Sequence, residues 1–465
     1  MAQAQGSESR ILLATENTFK SAPEYEVISC EAAFTGVGSG VAETFDSADY
    51  RAGSNAIMLS VVASTITAGN MLAWLSLGGI NLASLSYAII DIKPNVSIAA
   101  STLALVFAQA SALGSAVASV QIGAAPANVW TTLRVEIPTP SALTSLVSAG
   151  VKLVATVDAQ IKVDRMRMIR PMAVLRFVSE DMSLKRNTIS SRTLRTNRNP
   201  VMPVRGNKDV SGPLEIELQA YCQRALYYLF GSVTTAVVGG AYSHTFSIGS
   251  LPSFTYEKGF TDLDYYFLYS GCRVSQLRLT VPQEGFIGGA FDIMGAKGER
   301  NTVSFDDAFT DDGFQPFDAF SGEISVDGTA VATVTAVDLT INNNLDGSSY
   351  TIDRTNPGER RYLPARKVAV TGTLTALFED VALLTLAEDF TECRLQLDFS
   401  LGTGLGTADN EKLTIYMDEV KFAHKDPGIP GDEGIKVVLD YEAYYDDDAD
   451  ASAVRAVLLN MATTV

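Results

Sequence analysis

Histidine is nearly missing from this 465-residue sequence, with His244 and His424 the only two. The four cysteines, Cys30, Cys222, Cys272 and Cys393, lie far apart with no CxxC among them. Neither a zinc site nor a redox dithiol has the spacing it needs, so they read as small buried hydrophobes kept reduced. Charge is scarce too: 19% of residues are charged, and 35 basic against 53 acidic groups leave a net −18. An acidic chain repels nucleic acid as a whole, which excludes a sequence-specific DNA reader without a local basic patch. His244 follows Ser243 with no triad context. No carboxylate pair has surroundings that would separate two pKa values. Gly402-Thr-Gly-Leu-Gly406 lacks the strand-turn-helix setting of a phosphate loop. The expectation is a protein with no catalysis, no cofactor and no metal.

The N-terminal ten residues carry no basic stretch followed by an apolar one, so no secretory signal is visible and the chain is expected to start in a cytoplasm. Between Arg51 and Asp91 there is no charged residue. A bilayer requires about 20 apolar residues. Here Ser, Thr, Gly and Asn recur, Gly78-Gly79 interrupts the run, and no Lys or Arg cluster flanks it. It reads as buried strands.

What is present is mostly β. Leu277-Arg-Leu-Thr-Val281, Val368-Ala-Val-Thr-Gly-Thr-Leu374 and Lys412-Leu-Thr-Ile-Tyr416 gather β-branched and aromatic residues between turn signals. Helical periodicity is confined to 221–230, 379–386 and 451–461, each read as a single amphipathic helix packed on a sheet. At 47% hydrophobic, the chain holds core enough for two to four domains. Residues 24–170 are charge-poor, and the last 152 residues carry nearly all the net negative charge. These shifts divide the chain at 1–23, 24–170, 171–313 and 314–465.

The last two segments look like one another. Val210-Ser-Gly-Pro-Leu214 matches Val370-Thr-Gly-Thr-Leu374, and a helical decade follows each. Upstream, Ser183-Leu-Lys-Arg-Asn187 takes the place of Thr340-Ile-Asn-Asn-Asn344, and both lead into Arg-Thr-Asn, at 195–197 and 354–356. Downstream, 285–296 can be laid on 434–445. Three matches in one order predict tandem copies of a β-sandwich with one packed helix.

Arg186-Asn-Thr-Ile-Ser-Ser191 through Arg205-Gly-Asn-Lys-Asp-Val-Ser-Gly212, Tyr256-Glu-Lys-Gly-Phe-Thr-Asp262, Phe267-Leu-Tyr-Ser-Gly-Cys272 and Met294-Gly-Ala-Lys297 closely resemble the tail tube proteins of long-tailed bacteriophages. So do Asp338-Leu-Thr-Ile-Asn-Asn-Asn-Leu345, Gly372-Thr-Leu-Thr-Ala-Leu-Phe-Glu-Asp380 and Tyr444-Tyr-Asp-Asp-Asp-Ala-Asp-Ala451. The resemblance spans 171–465, with 2–23 similar to the family's N-terminal start. It implies a structural virion protein of the phage tail, assembled in the host cytoplasm, whose rings stack into a hollow tube that delivers the genome. Two tube-like domains per chain imply three chains in a pseudo-sixfold ring, with six chains as the other arrangement. The implied partners are further copies of the chain, a tape-measure protein, and tail terminator and tail tip proteins. DNA passes through the lumen without sequence-specific binding.

Residues 24–170 depart from that family. Phe45-Asp-Ser-Ala-Asp-Tyr50, Ile80-Asn-Leu-Ala-Ser-Leu-Ser-Tyr-Ala-Ile-Ile90, Trp130-Thr-Thr-Leu-Arg-Val-Glu-Ile137 and Ala159-Gln-Ile-Lys-Val-Asp164 are similar to successive strands of a β jelly-roll of the carbohydrate-binding-module type. Arg165 stands where that type of module pairs a second Asp. An inserted jelly-roll is expected at a surface loop, displayed outside the tube. Its candidate calcium or glycan residues are Asp46, Asp49 and Trp130, set against a turn with two Asp and a core Trp, and host surface glycans are the candidate ligand. The alternative function is a glycan-binding surface protein whose jelly-roll carries the activity.

One basic patch exists. Between 185 and 208 lie Lys185, Arg186, Arg192, Arg195, Arg198, Arg205 and Lys208, with no acid. By resemblance this is the family's long hairpin loop, expected to reach the next ring and meet acids such as Asp446, Asp447, Asp448 and Asp450. A solvated loop is the plain alternative. DNA binding is the third reading, disfavoured because no stacking aromatics are interleaved.

Overall fold

The computed structural model describes residues 9–22, 24–51, 54–62, 65–83, 85–193, 199–306, 309–429, 434–445 and 452–463. It is mainly β, with two α-helices among the described residues. The chain divides into two compact units, one of Met1–Ala22 with Ala173–Val465 and one of Pro23–Met172.

The Pro23–Met172 unit is a two-sheet sandwich. One sheet runs Thr131–Glu136, Tyr87–Pro94, Ala159–Ile169, Ala56–Val61, Ala42–Asp46, with Glu24–Ile28 also on Ala159–Ile169. The other runs Gly36–Val37, Met71–Ile80, Leu146–Leu153, Leu103–Ala108, Ala116–Gln121. The uncharged run after Arg51 supplies strands to both. Ile57, Leu59, Ile90 and Ile161 of the first sheet share a core with Leu72, Leu105, Phe107 and Val151 of the second. Among the described residues no helix is long and apolar enough to cross a membrane.

In the other unit the first repeat contributes β1 (Ser9–Thr15), β2 (Ser183–Ile189), β3 (Val204–Glu217), α1 (Gln223–Phe230), β4 (Gly231–Val238), β5 (Ala241–Ile248), β6 (Phe254–Phe260), β7 (Tyr265–Val281) and β8 (Gly288–Gly295). The second contributes β9 (Gly322–Val326), β10 (Val334–Asn342), β11 (Ala369–Leu377), α2 (Ala382–Glu388), β12 (Cys393–Ser400), β13 (Lys412–Phe422), β14 (Lys436–Ala443) and β15 (Arg455–Asn460). One sheet is ordered β2-β3-β8-β7-β10-β11-β14. The facing sheet is ordered β4-β5-β15-β13-β12-β9. Both cross from repeat to repeat without a break, so one core serves both, with Leu277, Phe291, Leu339 and Leu439 among its members beside Phe246, Leu397, Leu413 and Leu458. β14 alternates exposed and buried along its length, as a strand with one wet face does. The early part of β7 instead pairs with β6, which in turn pairs with β1.

α1 buries Ala225, Leu226, Leu229 and Phe230 and stops at Gly231, whose φ of 88° is left-handed and whose N–H bonds Tyr227 O. The 451–461 helix expected from periodicity is not there. Arg455–Asn460 is a strand with burial alternating every residue, because it fills a sheet position hydrogen-bonded on both edges, by β5 and β13. A two-sided sheet position overrides a weak helical pattern.

Strand registers relate the repeats residue by residue. Ser183 opposes Ser211 as Thr340 opposes Thr371, and Leu184 opposes Val210 as Ile341 opposes Val370. Gly212 faces Ile293 as Gly372 faces Tyr441, and Val210 faces Gly295 as Val370 faces Ala443. The matches of Ser183 with Thr340 and of Val210 with Val370 hold in register, and the first Arg-Thr-Asn, at 195–197, lies outside the described residues. The downstream one is displaced by one residue: Ala443, not Tyr444, is the counterpart of Gly295, and one residue on a strand exchanges the two faces.

Candidate interaction surfaces

The basic segment is the distal part of the β2–β3 hairpin. Pairing continues from Ser183↔Ser211 out to Ile189↔Val204, and residues 184–193 are all exposed. Lys185, Arg186, Arg192 and Arg205 make no ion pair among the described residues. Lys208, at the base, does: its Nζ is 2.8 Å from Glu359, which also takes Lys20. Arg195 and Arg198, and the acids Asp446, Asp447, Asp448 and Asp450, lie outside the described residues.

In the second repeat the matching connection, residues 343–368, forms no extended hairpin. It folds across the end of the first repeat. Arg360, 3% exposed, donates from Nη1 to the carbonyls of Val210 (2.9 Å) and Gly295 (2.8 Å) and from Nε to Gly347 O (3.0 Å). Its Nη2 pairs with the Asp209 carboxylate. Arg273 donates to Leu363 O at 2.7 Å, and Lys208 N to Gly358 O at 2.7 Å. No spacing in the sequence announces this clasp; the repeated Arg-Thr-Asn is its only trace.

On the exposed face of β10, β11 and β14 lies a cavity of about 820 Å³. Asp338, Thr340, Thr371, Asp440, Glu442, Lys421, Phe390 and Tyr444 line it. Thr280 Oγ1 donates to Asp338 and Thr373 Oγ1 to Asp440. The Lys421 ammonium lies 4.8 Å from the Phe390 ring centre and 5.5 Å from that of Tyr444, within cation–π range.

In the Pro23–Met172 unit, Asp46, Asp49 and Trp130 converge. Asp46 accepts from the backbone N–H of Ala48 (2.9 Å) and Asp49 (3.2 Å), a turn closed by its own side chain. Lys162 reaches both carboxylates, at 2.7 and 2.5 Å, Lys93 reaches Asp49 at 2.9 Å, and Trp130 Nε1 donates to Asp49 at 3.0 Å. Hydrogen bonds from Lys162, then Lys93, hold the Asp49 carboxyl well below the usual range. The hydrogen bond from Lys162 lowers Asp46 as well. For Lys162, partial burial opposes the charged form, but its bonds to the two carboxylates outweigh it and raise the pKa. An oxygen-seeking cation would have to displace two ammonium groups here. Beneath lie the fully buried Asp91 and Asp164. Arg51 and Arg165 stand 3.6 and 3.5 Å from Asp91, and Arg51 N–H bonds Asp164.

Depressed aspartate pKa values fix the sign of a pH effect. The unfolded carboxyls titrate near 3.9, so this cluster's contribution is complete above that pH and is lost as pH falls through the lower folded values. Lys162→Met should therefore lower the melting point of this unit by about 2–4 °C at pH 7 and by clearly less at pH 2, read by calorimetry on the full chain.

The remaining candidates are structural. Burial lowers the His244 pKa, and the ring bonds Thr235 Oγ1 (2.9 Å), Asn460 Oδ1 (3.2 Å) and Ala462 O (3.0 Å). Gly402, Gly404 and Gly406 turn the β12–β13 connection with positive φ, where Asn410 accepts from Thr403 N at 2.8 Å. All four cysteines are free and buried. Among the described residues no group of three metal-ligating side chains forms.

A family model described as phage tail tube protein matches residues 118–443, beginning inside the Pro23–Met172 unit and ending with β14. No curated protein matches. Two solved structures with carbohydrate-binding modules are similar. One holds the CBM22 and GH10 modules of a Clostridium thermocellum endo-1,4-β-D-xylanase with xylohexaose, at 16% identity and TM-score 0.23; the match covers 31% of this chain and 28% of that one. The other is the N-terminal CBM22 tandem domain of a Paenibacillus barcinonensis protein, at 10% identity and TM-score 0.25, covering 95% of this chain and 99% of that one. At these TM-scores neither likeness carries an argument.

Proposed function

Because the chain belongs to the phage tail tube protein family, a structural component of the virion tail, we propose that its copies close edge to edge into rings that stack into the tail tube. The observation that carries this is the joint between the repeats: β7 of the first pairs with β10 of the second over 276–281 and 337–342. That joint is a template for the next one. β2, the counterpart of β10, pairs only with β3 among the described strands, and an open sheet edge is a pairing liability that a closed ring removes. Three chains supply six repeats to a ring; six chains per ring is the other closure. The tandem repeats correspond to 171–313 and 314–465, with 1–23 joining the first. The lumen encloses a tape-measure protein before it conducts DNA, tail terminator and tail tip proteins cap the ends, and assembly takes place in the host cytoplasm. No catalysis is assigned.

We place the jelly-roll of residues 24–170 on the outer surface, without an assigned ligand. In support, the strands that flank it pair with one another, Leu12 with Val174 and Leu13 with Ala173, and it has its own core. The contact with the following ring is assigned to the basic connection between β2 and β3, carried by Arg192 with Arg195 and Arg198, the last two of which lie outside the described residues.

Electron microscopy of the purified protein at high concentration tests the reading. Rings or tubes are expected, and a strictly monomeric protein absent from isolated tails overturns it. Deleting 24–170 and joining the flanks by a short flexible linker should leave tube formation intact. A deletion variant that is folded and soluble yet does not assemble makes the insert part of the ring contact.

A further inference from the structure

The clasp made by residues 343–368 has a counterpart that is left open. Register equivalence carries each position under the clasp into the second repeat. Met294, opposite Arg273 on β7, corresponds to Glu442, opposite Lys421 on β13. Val210 and Gly295 correspond to Val370 and Ala443. In the first repeat Arg273 is capped by Leu363 O, and Gly347 lies against Met294. In the second repeat the corresponding Lys421 and Glu442 border the 820 Å³ cavity.

We propose that this cavity receives the β2–β3 arm of a second copy of the chain, laid over its second repeat as residues 343–368 are laid over the first repeat. The proposal rests on the ring reading and adds to it a lateral contact within one ring, made by the base of the arm. Charge agrees: the cavity offers Asp338, Asp440 and Glu442 against the single Lys421, and the base of the arm offers Lys185, Arg186 and Arg205 with no acid between 185 and 208. Apolar surface agrees as well. Ile189, Met202 and Val204 are 56, 82 and 57% exposed on the arm, and Phe390 is 61% exposed at the cavity rim. By chain count from the paired strands Ser190 corresponds to Gly347, so an arm laid down along the path of 343–368 would bring Ser190 beside Glu442 of the neighbour.

The test is a disulfide between Ser190→Cys and Glu442→Cys in one chain. The native thiols are buried, so the introduced pair is the accessible one. Oxidised tubes run on denaturing gels should give a ladder that stops at the number of chains in a ring. A ladder growing past that number means the arm reaches the next ring instead and overturns the proposal. Tubes that form without cross-linking, or with a link inside one chain only, also overturn it and leave the tube reading standing. If the unsubstituted chain forms neither rings nor tubes, both fall. Independently of the thiols, Asp440→Lys with Glu442→Lys should raise the concentration needed for assembly by at least about fivefold. Adding Lys185→Glu and Arg186→Glu should restore it. An unchanged threshold, or no rescue in a variant with native circular dichroism, counts against the contact.

Discussion

Arg360→Met is expected to destabilise the two-repeat unit by roughly 3–5 kcal/mol, the range for removing one side of a buried charged network. Methionine fills much of the volume but donates nothing. The carbonyls of Val210, Gly295 and Gly347 lose their donor, each at roughly 1–3 kcal/mol if it stays buried and unpaired. Asp209 loses its cation as well. The measurement is the denaturant midpoint of the full chain. Arg366→Met is the control: that side chain is 66% exposed and pairs with Asp346 at the surface, so its midpoint should stay within error of the parent. Equal losses in the two variants would mean that the clasp contributes no more than a surface ion pair.

The second large effect is expected at a pair of glycines that the repeats share. A Cβ on Gly372 would come within 3.0 Å of the Asp338 carbonyl oxygen and the Tyr441 hydroxyl. A Cβ on Gly212 would come within 3.0 Å of the Asp181 carbonyl oxygen and of Met182 Cα. Asp181 and Asp338 occupy equivalent places, so the same backbone approach has been kept twice. Gly212→Val and Gly372→Val should each cost roughly 2–4 kcal/mol, because backbone on the adjacent strand must move to admit the side chain. Gly289→Ala, where the nearest atom is the Ile216 Cγ1 at 3.4 Å, should be close to neutral. If the two valine variants melt like the parent, the close approach is not what keeps glycine there.

The repeat was legible because its marks are local and paired: Val-x-Gly-x-Leu on β3 and β11, and Arg-Thr-Asn in both connections. The downstream match slipped by one because no glycine or proline anchors β14, whose alternation repeats every two residues. The 451–461 helix failed for a different reason. Val454, Ala456 and Leu458 are buried at period two, but a neighbouring Val457-Leu458-Leu459 run satisfies a helical stripe equally well, and only β5 and β13 on either side decide between them. The two-Asp turn at Asp46 and Asp49 was readable, but not that Trp130 bonds it. Lys162, which organises the two aspartates, lies 113 residues beyond Asp49, and nothing local in the sequence connects them. Arg360 was invisible in the same way: its partners Asp209, Val210 and Gly295 belong to the other repeat.

The two connections have diverged in opposite directions. One stands out as a basic hairpin, and the other is folded back into its own chain with its arginine buried. In a tube of three-chain rings, this difference halves the order of the axis for anything that docks on the arms. A sixfold barrel wall would present three identical arms and three closed clasps, so partners that read the arms are counted in threes. A partner that reads only the strand backbone of the wall would meet six pseudo-equivalent faces. With three chains to a ring, threefold and sixfold components would each find matching contacts on the same axis.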